Sequence, residues 1–369
     1  MRFPNYNGEW QKTVMGKVCS FRKGYGIAKD DLSSGGTPCI LYGELYTTYK
    51  TAIAKTIKSK TSIQSKSLVY SQKDDVIIPC SGETAEDIAT SICVPYDGIL
   101  LGGDLTIVHS DLDGAFLSNQ INSVRKFDIA RIAQGKSIVH LQADELKKIF
   151  IFYPSIQEQR KISAFIDKID KRIEIQNKII EDLKVLKKEL NYSLIGRIIN
   201  GKSSNCKIED VIDYEQPTNY IVKSDKYIEN GETPVLTANK AFLLGYTIEN
   251  EGVYNKSDCI ILDDFTLDFK YVNFPFKIKS SAIKILTAKK DIELRYFYEY
   301  LLFLGLTSHE HKRHYISEIA PLPLYLPSID EQRSALSALN SISEKIKVEE
   351  NYIIALKAQK CFFLRTMFI

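Results

Sequence analysis

Side chains that could hold a metal ion cluster at two places in the 369-residue sequence. His309, His311 and His314 lie within the stretch HEHKRH, in which the outer histidines are one residue too far apart for the H-E-x-x-H pattern. The ligands of such a zinc site must share one face of a helix. Asp258 and the run DFK at residues 268–270 have the spacing of metal-dependent nucleases, but this spacing is common by chance. We therefore predict no metal site and no catalytic residue here.

Two short motifs could indicate methyl transfer to adenine. FRKGYG at residues 21–26 is similar to the cofactor loop of adenine methyltransferases, and NFPF at residues 273–276 is similar to their catalytic motif. The first lacks the strand-to-helix context that a nucleotide-binding loop needs. The second has Phe274 where the motif has proline. The sequence therefore favours a turn and a strand over an active site, and we expect no cofactor in this chain.

Composition describes an ordinary soluble protein and assigns no ligand. The net charge is +3, and 44% of the residues are hydrophobic. The cysteines are odd in number and include no C-x-x-C pair, which favours reduced thiols over disulfides or zinc. The opening MRFPNYNGEW has no apolar core, so it is not a signal peptide, and no apolar run reaches the ~18 residues of a membrane helix. We expect a cytoplasmic protein.

One stretch occurs twice and organises the sequence. PSIQEQR at residues 154–160 and PSIDEQR at residues 327–333 each open a long, charged segment without proline. The two segments align without a gap at an offset of 173 residues, and apolar residues recur in both at alternating spacings of four and three. Such a heptad pattern is typical of a coiled coil. The predicted apolar seam consists of Ile162, Ile166, Ile169, Ile173, Ile180, Leu183, Leu190 and Leu194 in the first segment, and of Leu339, Ile342, Ile346, Ile353, Leu356, Phe363 and Met367 in the second.

Both seams are interrupted by polar residues at the same places. Gln176 corresponds to Glu349, and Lys187 corresponds to Lys360. Shared interruptions indicate a true internal repeat, whereas two unrelated amphipathic helices in one globule would leave them unexplained. A helix with such a stripe needs a partner, and its nearest partner is the other copy. If a two-fold axis relates the copies, the helices run antiparallel.

The start of each helix carries a capping signal. Ser155 with Glu158, and Ser328 with Glu331, have the Ser-x-x-Glu spacing of a capping box. Pro154 precedes the first box, as Pro327 precedes the second, where a helix cannot yet run.

The regions before the helices also echo each other. GGTPCIL (35–41) corresponds to NGETPVL (230–236), and DDVIIP (74–79) corresponds to SDCIIL (257–262). QGKSIVHL, upstream of the first helix, is matched only by position, by HEHKRHYI. We predict an α+β fold in which two α/β globules alternate with two long antiparallel coiled-coil helices, as a pseudo-two-fold repeat. The predicted parts are residues 1–153, 154–200, 201–326 and 327–369.

A duplicated chain of this kind, with a P-x-x-x-E-Q helix opening, resembles the specificity subunit of type I restriction-modification enzymes. GEW (8–10) and GKSIVHL (135–141) also resemble that family. The resemblance implies two target recognition domains, residues 1–153 and 201–326, that each read one half of a bipartite DNA sequence. It implies two spacer helices that dock two modification (methyltransferase) subunits, to which restriction subunits can be added. S-adenosylmethionine is then expected in the methyltransferase, and ATP with magnesium in a restriction subunit.

The loops carry side chains suited to phosphates and base edges. Any one of them could equally be a solvated surface charge. The lysines between Lys270 and Lys290 belong to the same group. The predicted DNA-binding residues are Lys23, Tyr25, Tyr46, Tyr49, Lys50, Lys58, Lys60, Lys136 and Ser137 in the first globule, and Lys240, His311, Lys312, Arg313 and His314 in the second.

The C-terminal stretch CFFLRTMFI is apolar on more faces than a helix seam requires. It could pack against a globule or form a surface for a partner subunit. In the second case Phe362 and Phe368 would contact the partner.

Two functions of other classes remain open. A self-contained methyltransferase or nuclease would act on DNA as the isolated chain. A coiled-coil scaffold without a nucleic-acid role would show no salt-dependent affinity for DNA.

Overall fold

The structure is a computed structural model that describes residues 1–135, 139–239, 241–308, 310 and 312–368. The chain forms two compact units. Unit 1 comprises residues 1–178 and 351–369, and unit 2 comprises residues 179–350. Each unit therefore contains one globule together with a segment of both long helices. Among the described residues, no helix combines the length and apolarity that a membrane crossing requires.

The globule of unit 1 precedes the first long helix. Its described elements are β1 (Gln11–Val14), α1 (Met15–Val18), β2 (Cys19–Lys23), β3 (Leu32–Ile40), α2 (Glu44–Thr47), β4 (Ser59–Thr61), β5 (Asp75–Pro79), β6 (Ser81–Gly82), α3 (Ala85–Ile88), β7 (Ile92–Val94), β8 (Leu100–Leu101), β9 (Leu105–Ser110), α4 (Gly114–Asn122), α5 (Lys126–Ile132), β10 (Val139–His140), α6 (Ala143–Leu146) and β11 (Phe150–Tyr153).

The first long helix and the elements after it complete the chain. They are α7 (Ile156–Ile199), β12 (Cys206–Lys207), α8 (Ile208–Val211), β13 (Ile212–Glu215), β14 (Thr233–Leu236), β15 (Leu243–Thr247), β16 (Cys259–Asp263), β17 (Phe269–Val272), β18 (Lys277–Ile278), β19 (Ile283–Ala288), α9 (Leu294–Leu304), β20 (Pro323–Leu324) and α10 (Ile329–Met367). A π-helical turn covers Tyr315–Ile319.

The sheets of the two globules have the same strand order. A four-stranded antiparallel sheet has the order β2-β9-β5-β7 in unit 1 and β13-β19-β16-β17 in unit 2. A three-stranded sheet follows as β4-β3-β8 and as β15-β14-β18, and in both its last pair of strands is parallel. The internal repeat and the α+β fold class are thereby confirmed.

The central strand of each globule shows why the repeat folds in the same way twice. All five residues of β5 and all five of β16 are buried. Val76 and Ile78 of β5 pack into one apolar cluster, and Ile77 packs into another on the opposite face. In unit 2, Ile260 and Leu262 pack into one apolar cluster, and Ile261 packs into another. A short continuous apolar run therefore forms a strand that is covered on both faces.

The two long helices run antiparallel within each unit. In unit 1, Phe165 of α7 packs edge-on against Phe363 of α10, with 4.9 Å between ring centroids. Asp170 pairs with Lys360 at 2.5 Å, so positions rise along α7 as they fall along α10. In unit 2, Lys184 of α7 pairs across the helices at 2.6 Å with the C-terminal residue of that unit, Glu350 of α10. The predicted seam residues are all buried or half-buried.

One pair of matched polar interruptions is satisfied in two different ways. Lys360 pairs with Asp170 on the facing helix. Lys187 instead pairs at 2.7 Å with Glu299 of α9, whose side chain is 1% exposed. Asn191, one turn further along α7, also donates to Glu299 at 2.8 Å. The same seam position therefore joins helix to helix in unit 1 and helix to globule in unit 2.

The helix starts differ from one of the predictions. Ser328 and Glu331 form the predicted capping box, because the Glu331 carboxylate accepts from the Ser328 amide at 2.9 Å. The prediction for Glu158 was wrong. Its two carboxylate oxygens accept from the guanidinium of Arg2 at 2.7 Å each, and the residue is 1% exposed. A buried carboxylate needs a charged partner, and the N-terminal segment provides it.

The glutamine of each E-Q-R stretch fastens a helix start to its globule. Gln159 donates to the carbonyl of Pro154 at 2.8 Å and accepts from the amide of Asp113, the N-cap of α4, at 3.0 Å. Gln332 donates to the carbonyl of Pro327 at 3.0 Å and accepts from the amide of Glu293, the N-cap of α9, at 2.8 Å. Both glutamines are buried.

The C-terminal end of α10 packs into unit 1. Phe368 is 4% exposed, and its ring centroid lies 5.1 Å from that of Phe116. Phe362 is 52% exposed. Of the two alternatives that the sequence left open for this stretch, packing against a globule therefore holds for Phe368, whose ring fills an aromatic cluster, whereas Phe362 lies at the surface. The amino group of Met1 donates to the carbonyl of Thr366, so the two chain ends meet in this unit.

Replacing Gln159 by alanine should lower the free energy of unfolding by about 1–3 kcal/mol, because the buried carbonyl of Pro154 and the partly buried amide of Asp113 would lose their partner. Gln157 is exposed in the same helical turn, so Gln157→Ala is the matched control and should change stability little. Urea unfolding of both variants measures the difference. Equal stabilities would contradict the assigned role of Gln159.

Candidate nucleic-acid interface

Several predicted contact residues of unit 1 lie on its surface. Lys23 is the last residue of β2, and Lys60 lies on the short strand β4. Both are exposed, as are Lys50 and Lys58 in the loop before β4. Tyr25 is 43% exposed. The lysines have the charge and reach that phosphate contacts require, and Tyr25 offers a hydroxyl group.

Two predicted tyrosines are held more deeply. Tyr49 packs against the apolar cluster of the central sheet, and its hydroxyl group is buried without a hydrogen-bond partner. Burial raises the pKa of Tyr49 to about 12. Burial also raises the pKa of Tyr46, which is half-buried. Tyr49 thus packs its ring into the globule, and in this conformation its hydroxyl group cannot reach a DNA strand.

The loop between α2 and β4 encloses a cavity against α7 within unit 1. The cavity measures about 320 Å³, and Lys50 and Lys58 contribute to its lining. Lys55 forms an ion pair with Asp167 of α7. The loop is thus fastened to the helix by one lysine and presents others around the cavity.

A larger cavity, about 520 Å³, lies between the end of β2, the strands β6 and β10, and the start of α6 in unit 1. Lys23, Ser81 and His140 contribute to its lining, and the Ser81 hydroxyl lies 3.2 Å from Nδ1 of His140. Ser81 and His140 were not among the residues predicted from the sequence. His140 lies in QGKSIVHL, which has a counterpart by position in the second globule, and this could have indicated His140. Ser81, the partner of His140, lies 59 residues earlier in the chain.

In unit 2 the two neighbouring basic residues predicted to bind DNA, Lys312 and Arg313, have different surroundings. Lys312 is exposed and forms ion pairs with Glu310 at 2.6 Å and with Glu318 at 2.8 Å. These hydrogen bonds raise the pKa of Lys312 and lower the pKa of both carboxyl groups. Arg313 is exposed, with its guanidinium 5.8 Å from the ring centroid of Phe265. The charge of Lys312 is therefore largely neutralised, whereas Arg313 is positioned over an aromatic ring.

His314 lies inside the globule of unit 2 and not at its surface. The residue is 3% exposed, and its Nδ1 lies 2.7 Å from a carboxylate oxygen of Glu318. Its Nε2 lies 2.8 Å from the hydroxyl of Ser308. Both ring nitrogens are therefore engaged, which argues against a contact between His314 and DNA.

The remaining predicted positions divide into two groups. Lys136, Ser137, Lys240 and His311 lie outside the described residues, as does His309. Among the lysines between Lys270 and Lys290, several take part in ion pairs. The pairs are Lys277 with Glu249, Lys279 with Asp225, Lys284 with Asp264 and Lys289 with Asp213.

The enzyme-like motifs occupy ordinary structural positions. FRKGYG begins in β2 and continues into a loop rather than a helix. Asp258 accepts a hydrogen bond from the hydroxyl of Tyr271 at 2.6 Å. Among the described residues, no three side chains of His, Cys, Asp or Glu are grouped so that they could hold a metal ion.

The long helices expose apolar side chains outside the seam. Val185 and Leu186 of α7 are 57% and 50% exposed. Ile354 and Phe362 of α10 are 64% and 52% exposed. Large apolar side chains are costly to leave in water, so these helix faces are suited to a protein partner.

The ion pair of His314 predicts a pH dependence of stability. The hydrogen bond to Glu318 raises the pKa of His314, so the stability it contributes is fully present below about pH 6.5 and is lost as the pH rises through the higher folded-state pKa. We expect His314→Asn to destabilise the protein more at pH 5.5–6 than at pH 8.5, measured by urea unfolding. Glu318→Gln should remove most of this pH dependence. A destabilisation that is the same at both pH values would contradict the assignment.

Comparisons with known proteins indicate a family. Residues 7–185 match the family described as "Type I restriction modification DNA specificity domain". Over 139 residues the chain is 40% identical to the type I restriction enzyme EcoR124I/EcoR124II specificity subunit of Escherichia coli. The matched region is 36% of this chain and 34% of that protein. The chain thus matches about a third of the length of this curated relative.

Two solved structures have a similar fold over nearly the whole chain. The type I restriction-modification S subunit from M. genitalium gives a TM-score of 0.62 at 16% identity and covers 100% of this chain and 97% of that one. A second, titled as the structural basis of complex assembly and conformational transition of the type I R-M system, gives 0.59 at 15% identity and covers 98% of both chains.

Proposed function

We propose that this chain is a specificity subunit of a type I restriction-modification system and that each of its two globules reads one half of a bipartite DNA target. The domain matched at residues 7–185 and the fold support this proposal. The observation that carries the proposal is the repeated sheet order, which presents the same frame twice with different loop residues. A repeated frame with divergent loops suits two half-sites of different sequence.

The charges at the surface of unit 1 support a DNA ligand. Lys23, Lys50, Lys58 and Lys60 are exposed on loops and strand ends of one globule. Phosphate contacts by such side chains position a protein on a duplex and make binding depend on salt. Base-edge contacts from the same loops then supply the sequence preference.

The long helices are proposed to act as a spacer. Helix α7 continues for 44 residues without interruption, a length of roughly 66 Å at 1.5 Å per residue. A stiff element of this kind sets the distance between half-sites by length, so the bases between them need not be read. Half-sites that face the same side of B-DNA recur about every 34–36 Å.

The exposed apolar side chains of the helices are proposed to dock two methyltransferase subunits, to which restriction subunits can be added. The chain itself then performs no catalysis, and S-adenosylmethionine binds in the methyltransferase. ATP and magnesium belong to a restriction subunit. An assembly of this kind acts on chromosomal DNA, which places it in the cytoplasm.

Mapping methylated adenines tests the proposed function directly. Cells that express this chain with its methyltransferase subunits should carry methyladenine in one split motif, in which two specified half-sites flank a stretch of fixed length and unspecified sequence. Cells with the methyltransferase subunits alone are the control and should lack that motif. A continuous motif, or methylation that persists without this chain, would contradict the proposal.

Docking on the helices predicts that Ile354→Asp abolishes co-purification of the methyltransferase subunits, because it places a charge in the apolar contact. Ile354 is exposed, so the variant should unfold at the same temperature as the wild type. Gln359 is exposed on a different face of the same helix, and Gln359→Asp is the matched control. Retention of the partner by the Ile354 variant would move the docking surface elsewhere.

A further inference from the structure

The two globules contain one equivalent loop anchor. In unit 1 the amide of Leu141 donates to the carbonyl of Cys80 at 2.9 Å. In unit 2 the amide of His314 donates to the carbonyl of Asp264 at 3.0 Å. Cys80 follows the end of β5, and Asp264 follows the end of β16, the equivalent strand. Leu141 and His314 are both 3% exposed, so the loop is buried at the equivalent residue in each globule.

The residue before each anchor is exposed and carries nitrogen donors. In unit 1 this residue is His140, and its ring contacts Ser81, the residue after Cys80. In unit 2 it is Arg313, and its guanidinium lies over the ring of Phe265, the residue after Asp264. The same backbone frame therefore presents a histidine held by a hydroxyl group in one globule and an arginine held by an aromatic ring in the other.

The side chains beneath these two residues differ in size and charge. In unit 1 the thiol of Cys80 lies 3.1 Å from the hydroxyl of Thr106, beside the cavity of about 520 Å³ that Lys23 also lines. In unit 2 the positions equivalent to Cys80 and Thr106 hold Asp264 and Lys284, an ion pair at 3.4 Å whose side chains are each 1% exposed. Unit 1 therefore has a cavity beside these positions, whereas in unit 2 the buried side chains of Asp264 and Lys284 occupy the equivalent positions.

We propose that His140, with Lys23 beside it, and Arg313 are the equivalent base-reading residues of the two globules, each contacting base edges in its own half-site. This inference rests on the proposed function. A residue that reads sequence must differ between globules that read different half-sites, whereas a phosphate contact needs only a positive charge in both.

The surroundings of Arg313 favour a base edge over a phosphate. Glu310 and Glu318 are exposed carboxylates that accept from Lys312, the neighbour of Arg313. Their negative charge repels a phosphate group, which is also an anion. An arginine held over an aromatic ring presents a planar fork, which matches the two acceptors of guanine in the major groove. In unit 1, Ser81 orients the ring of His140, so its second nitrogen can bond a base edge.

A selection from randomised duplexes tests the inference with the full chain. The wild type should enrich two half-sites at a fixed separation. His140→Ala should relax the preference at one or two positions of one half-site only, and Arg313→Ala should do so in the other half-site only. Each loss should be roughly 5- to 150-fold in discrimination against the wrong base. Arg313→Lys should resemble Arg313→Ala, because a lysine lacks the planar fork.

The outcomes separate this inference from the proposed function. Variants that keep the wild-type motif, or that lose affinity equally for all sequences, would overturn the inference while leaving the proposed function intact. A wild type that enriches no motif would overturn both. Lys17, exposed in α1, provides the matched control, and Lys17→Ala should leave the motif unchanged. Thermal unfolding of each variant shows that the fold is retained.

Discussion

The structure depends on burying an apolar stripe along each of two long helices. Neither stripe could remain in water over some forty residues, and each helix buries its own against the other helix and a globule. Isoleucine and leucine fill most of the seam, and Ile162 and Ile166 are buried within unit 1. Leu339 and Ile346 are buried within unit 2. The polar positions within the seam are tolerated because each finds a charged or hydrogen-bonding partner.

Hydrogen bonds to backbone groups take part in attaching each globule to a helix start. Gln159 and Gln332 each bridge the carbonyl before a helix to the amide that begins another helix. These bonds use backbone groups that every sequence has, so the surrounding side chains can change without loss of the joint. A glutamine can do this where a glutamate could not, since the glutamine offers a donor and an acceptor at once. The loops of the two globules are correspondingly free to diverge.

Many charges of the second globule serve its own structure. Lys284 is buried against Asp264, and Lys277 pairs with Glu249 while its side chain is 2% exposed. A buried lysine must keep a partner, because an isolated charge inside a protein is strongly destabilising. Such residues hold strands and loops in place and are not available for DNA. In the first globule, by contrast, lysines such as Lys50 and Lys58 lie exposed around an open cavity. Residue type alone does not distinguish these two uses of lysine.

The sequence by itself determined the duplication, the two helices and their antiparallel pairing, because heptad spacing and a repeated opening are local patterns with one physical outcome. It also indicated the family. Only the tertiary structure decided which side chains face solvent. Glu158 binds Arg2 instead of capping its helix, and Phe368 and His314 are buried. The pairing of His140 with Ser81 joins residues far apart in the chain, and such contacts depend on sheet register, which no local spacing encodes.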